Sequence, residues 1–84
     1  MKTVKDLKYS FDHVNQRLKE RFDLSISWNA YMNLNDMLKQ NKSNMILVEQ
    51  GEQEIHKIKF KGKVVTFVYS ISKNRITTAL NWPT

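Results

Sequence analysis

Apolar residues in the first half of the chain return every three or four positions. Phe11, Val14, Leu18 and Phe22 stand at i, i+3, i+7 and i+11, a single stripe on a helix that the pattern starts at Ser10. Serine is a good N-cap, and Asp12 in the first turn suits the positive end of the helix dipole. "FDLS" at 22–25 breaks the stripe. Ser27 then caps a second helix, with Ile26 and Tyr31 placed as a hydrophobic staple. The second stripe is Tyr31, Leu34 and Leu38, widened by Ala30 and Met37. "QNKSN" at 40–44 ends it with residues that favour turns and left-handed backbone.

Beyond residue 44 the period changes to that of strands. "MILVEQ" (45–50) is short and apolar and is bounded by "GE". "EIHKIKF" (54–60) alternates, with His56, Ile58 and Phe60 on one face and Ile55, Lys57 and Lys59 on the other. "KGK" (61–63) reads as a tight hairpin turn around Gly62. "VVTFVYSI" (64–71) is β-branched and aromatic throughout, as in a central strand. "SKNR" (72–75) is a further turn, with Asn74 suited to positive φ. "ITTALNW" (76–82) closes the set, with Ile76, Thr78 and Leu80 pointing one way and Arg75, Thr77 and Ala79 the other. Two helices before a four-stranded meander make an α+β fold, helices on one face of an antiparallel sheet.

The 84 residues form a single domain, 1–84, near the lower end of what folds alone. With 40 % hydrophobic residues and nine aromatic ones (four Phe, three Tyr, two Trp), the chain can build a core and is not of disordered composition. Without cysteine it has neither disulfides nor thiolate metal sites. The longest apolar run is the four residues Met45 to Val48, too short to span a membrane, and "MKTVKDLKYS" lacks a signal-peptide core. The expectation is a soluble cytoplasmic protein.

Charge is unevenly spread. Residues 1–23 carry six basic and four acidic side chains (+2), residues 24–54 two and four (−2), and residues 55–84 six and none (+6). A field of this shape attracts polyanions, of which nucleic acid is the commonest and an acidic protein surface the alternative.

Three features carry candidate chemistry. On the first helix His13, Arg17 and Arg21 are spaced by four residues, at roughly 145°, 105° and 65° from the stripe centre. They run along the flank where helix meets sheet edge, either as a cleft lip or as solvated residues covering the core margin. Around the hairpin, Lys57, Lys59, Lys61 and Lys63 make a comb that can neutralise successive phosphates or keep a strand edge from aggregating. In the last strand Thr78 can hydrogen-bond a phosphate or a reacting hydroxyl, or serve only as a good strand former. Tyr69 and Trp82 are candidates for base stacking or for the core. Neither His13 nor His56 has carboxylates at ligand spacing, and no glycine loop suits a nucleotide, so no metal and no cofactor is expected.

A helix bearing "H…R…ER" ahead of a short antiparallel sheet that ends in a Thr-bearing strand resembles the Barnase–EndoU–colicin–RelE group of small metal-independent ribonucleases. "YSFDHVNQRLKERFDLSIS" and "ITTALNW" resemble its phage and mobile-element branches, over residues 9 to 82. The resemblance implies toxin-like cleavage of RNA by its own 2′-hydroxyl, with His13, Arg17, Arg21 and Thr78 at the active site. His13 would act as base or acid, the arginines would hold the charge building on phosphorus, and Thr78 would orient an oxygen. Lys57, Lys59, Lys61, Lys63, Tyr69 and Arg75 would bind flanking RNA. The dense C-terminal Arg/His/Tyr cluster of the better-known toxins is missing. A competing expectation is a non-catalytic phage or mobile-element inhibitor, anti-CRISPR-like, that occupies a host nuclease or its nucleic-acid-binding surface.

Overall fold

The structure, a computed structural model, describes residues 4–42 and 45–80, with side chains from Asp6. Helix α1 (Val4–Phe22) and helix α2 (Trp28–Gln40) precede strands β1 (Met45–Glu49), β2 (Gln53–Phe60), β3 (Lys63–Ser70) and β4 (Arg75–Leu80). The sheet is an antiparallel meander in the order β1-β2-β3-β4, and the expected α+β architecture is found. None of the described helices is long and apolar enough to cross a membrane. The expectations for Trp82 and the end of the last strand lie outside the described residues.

Local chemistry explains most boundaries. Ser27 is the N-cap of α2, its Oγ accepting the Ala30 N–H at 3.2 Å. The staple residues Ile26 and Tyr31 both enter the core. Helix α1 ends at Asp23, whose φ of +56° is left-handed, and whose N–H reaches Lys19 O at 3.2 Å. The β2–β3 hairpin turns through Lys61 and Gly62 at φ +51° and +83°, both positive as a type I′ turn requires. Asn74 takes φ +57° in the last turn, as expected from its side chain.

The start of α1 differs from expectation. The helix begins six residues before Ser10, because Leu7 continues the stripe one turn back from Phe11. Ser10 is therefore not a cap: it is buried mid-helix, and its Oγ accepts a hydrogen bond from Arg75 Nε at 2.8 Å. Strand β4 also breaks the expected alternation. Val68 pairs with Thr78 but Tyr69 pairs with Ile76, so Thr77 is the extra residue of a bulge. Ile76 and Ala79 both face the core as a result, three positions apart.

One core lies between helices and sheet. Val14 and Leu18 of α1, Tyr31 and Leu38 of α2, and Val65, Phe67, Tyr69, Ile76 and Ala79 of the sheet form it, closed below by Ile58 and Phe60. The link between the helices is held by a clasp. Asn15 donates through Nδ2 to Ile26 O (3.0 Å) and accepts the Ile26 N–H on Oδ1 (2.7 Å). On the outer face of the sheet, Leu47, Ile55, Val68 and Thr78 form a cross-strand row in which Ile55 and Val68 are buried.

The outer edge of β4 is closed by helix side chains. Ile76 donates its N–H to Asn35 Oδ1 (2.8 Å), and its carbonyl accepts from the Tyr31 hydroxyl (2.7 Å). The Ala79 carbonyl accepts from Arg21 Nη1 at 2.8 Å. At the opposite side of the sheet, β1 leaves Ile46, Leu47 and Val48 between 41 % and 47 % exposed.

Candidate functional site

Extending α1 to Val4 sets Asp6, Tyr9, Ser10 and His13 at i, i+3, i+4 and i+7, one face of the helix. That face runs along β4. Between the two lies a cavity of about 620 Å³, lined on the helix side by those four residues and on the other by Lys73, Arg75, Thr77 and Thr78. The β4 bulge is what brings both threonines to the lining, since regular alternation would turn one of them away. Turn residues 71–74, pinned by the Ser70 hydroxyl accepting the Lys73 N–H, present Lys73 at the same cavity.

The lining is rich in hydrogen-bond donors. Arg75 is 6 % exposed and oriented by Ser10, which leaves a guanidinium fixed in place in a lining that also holds an ammonium, an imidazole and two threonine hydroxyls. Asp6 supplies a carboxylate on the helix wall. Tyr9, at 75 % exposure, stands at the cavity with its ring in solvent.

The expected site residues divide sharply. His13, Thr78 and Arg75 come together at this cavity. Arg17 and Arg21 do not line it. Arg17 bonds Glu20 at 2.8 Å, holding that exposed carboxyl below its ordinary pKa together with Gln16, and Arg21 is occupied by the Ala79 carbonyl. The lysine comb is dispersed as well. Lys57 and Lys59 stay exposed on β2, whereas Lys61 caps the Ser25 carbonyl (2.5 Å) and Lys63 the Phe22 carbonyl. Lys61 lies in the turn at positive φ, out of line with Lys57 and Lys59. Tyr69 is a core residue at 2 % exposure and offers no face to a base.

A second polar cluster had no signal in the spacing of residues. Beneath the end of α2, Glu54 Oε1 lies 2.7 Å from Lys42 Nζ and 3.0 Å from His56 Nε2, and Lys42 also donates to Leu38 O at 2.8 Å. Burial raises the Glu54 carboxyl, but the bonds from Lys42 and His56 outweigh it and hold it below the ordinary value. Burial, with Glu54 and Asp36 nearby, raises the Tyr69 phenol. The Tyr69 hydroxyl and His56 Nδ1 are buried without a described partner. Among the described residues no group of three His, Cys, Asp or Glu is arranged to hold a metal ion. Comparison with protein-family models, with curated proteins and with solved structures gives no match, so the site is read from its own geometry.

Proposed function

We propose that the α1–β4 cavity binds an RNA phosphodiester and that the chain is a metal-independent endoribonuclease acting through it. The observation that carries this reading is the meeting of His13, on the helix, with the buried Arg75 and with Thr78, on the strand, across a cavity of nucleotide-binding size. In the reaction the RNA 2′-oxygen loses its proton and attacks the adjacent phosphorus. The bond to the 5′-oxygen breaks, and that oxygen takes up a proton, leaving a 2′,3′-cyclic phosphate and a 5′-hydroxyl. His13 serves as one of the proton-transfer groups. Arg75, and not Arg17 or Arg21, meets the charge that grows on the phosphoryl oxygens, with Lys73 beside it and the Thr77 and Thr78 hydroxyls as further donors. Lys57 and Lys59, exposed on β2, are left to attract the strand electrostatically.

The test is cleavage of tRNA and of mRNA in EDTA by the wild type and by His13→Ala. Cleavage is expected from the wild type, with loss of about 10²- to 10⁴-fold in rate on removing the imidazole. Equal cleavage by both proteins would overturn the assignment of His13. A wild type that cuts nothing would end the ribonuclease reading in favour of an inhibitor that acts by occupying a host nuclease.

A further inference from the structure

Cleavage uses His13, Arg75, Lys73, Thr77 and Thr78 and leaves Tyr9, on the wall of the same cavity, without a part. Its ring is 75 % exposed, more than any other large hydrophobic side chain described, the next being Val64 at 53 %. Two positions further along α1, Phe11 lies on the other side of the helix. It packs on Trp28 and Tyr31 at centroid distances of 5.2 and 5.4 Å. One ring of α1 therefore closes the core, while the other stands in water beside the oriented guanidinium of Arg75.

We propose that Tyr9 is the platform of a nucleobase subsite, on which an unpaired base next to the phosphate at Arg75 stacks, so that the substrate is single-stranded RNA. This rests on the reading of the cavity as an RNA phosphodiester site. Ser10, which orients Arg75, follows Tyr9 directly in the helix, so platform and cation share one turn of α1. His13 lies on the next turn of the same face. Base, phosphate and proton-transfer group thus have their partners in a row. A cavity of about 620 Å³ exceeds what one phosphate fills and suits a ligand of nucleotide size. Every base has a π-face, so an exposed ring takes any of them, provided that the base is unpaired. In a duplex the bases stack on one another and offer no face to a side chain.

The probes are fluorescent hexanucleotides with every 2′-oxygen methylated, which cannot attack phosphorus, so anisotropy reads binding without cleavage. One carries adenines, one has the same phosphates and no bases, and a third locks the adenines in a hairpin stem. Tyr9→Ala is expected to weaken binding of the adenine hexamer about 5- to 150-fold and to leave the other two unchanged. Tyr9→Trp is expected to bind the adenine hexamer at least as well as the wild type. Tyr9 is exposed, so both variants should keep the wild-type circular dichroism spectrum. The proposal is overturned if Tyr9→Ala binds the adenine hexamer as the wild type does, or loses as much on the abasic or the paired probe. A Tyr9→Trp protein as weak as Tyr9→Ala, or a wild type that binds no hexamer, overturns it too. A chain with the expected pattern that cuts no unmodified RNA keeps the subsite and loses the ribonuclease reading. A chain that cuts RNA while Tyr9→Ala binds normally does the reverse.

Discussion

Replacing Asn15 by alanine removes both halves of the clasp on Ile26. The amide makes two bonds, of 3.0 and 2.7 Å, to the backbone of a residue that is 3 % exposed. A neutral hydrogen bond contributes about 0.5–1.5 kcal/mol net, and a buried group left without a partner costs about 1–3 kcal/mol. Some water reaches the loop once the side chain is shortened, which sets the expected loss at about 2–4 kcal/mol. Against a total of roughly 4–13 kcal/mol for a domain of 84 residues, that is a large share. Unfolding entropy of about 2.1 cal/mol/K per residue gives about 0.18 kcal/mol/K for this chain, so a loss of 3 kcal/mol lowers Tm by about 17 °C. Urea and thermal unfolding followed by far-ultraviolet circular dichroism measure it. Gln16→Ala is the control, since that side chain is exposed and, among the described residues, bonds Glu20. The control is expected to stay within about 0.5 kcal/mol of wild type. If Asn15→Ala also stays within that margin, the interhelical link is held by something other than the clasp.

Two further outcomes follow from the same physics. Asp23→Gly, which relieves a left-handed backbone at φ +56°, should raise stability by about 0.5–1 kcal/mol in urea denaturation, and no gain would mean the aspartate makes a compensating contact. Glu54, its carboxyl held below the ordinary value of 4.5, contributes stability that is present above that pH and lost as acidification passes the folded-state pKa. Glu54→Gln should therefore destabilise most near neutrality and progressively less below about pH 4.5, and a pH-independent difference between the two proteins would refute the sign.

Sequence reading succeeded where a few adjacent residues settle the matter. Ser27, Gly62 and Asn74 act through their own backbone, and each does in the fold what its chemistry suggests. It failed where a distant residue decides. Ser10 is as fit for a cap as Ser27, but an arginine 65 positions later claims its hydroxyl, and Leu7 carries the helix past it. Lys61 and Lys63 look like solvated charges until the α1–α2 link brings carbonyls within their reach. Tyr69 could equally stack on a base or enter the core, and nothing near it in the chain could say that Leu38 and Phe67 would share a core with it. At the candidate site, His13, Arg75 and Thr78 were legible as chemistry-bearing residues, whereas Asp6, Tyr9 and Thr77 depended on the true helix start and on a bulge.

The three side chains that close β4 set a limit on assembly. A sheet open on both sides can add molecules without end, which is how fibres grow. Here Tyr31, Asn35 and Arg21 occupy the outward backbone groups of Ile76 and Ala79, so that side of the sheet is not open to a further strand there. The helices thus act as terminators of polymerisation as well as half of the core. Substitutions that loosen them from Ile76 and Ala79 would expose a second sheet edge and with it a route to filaments.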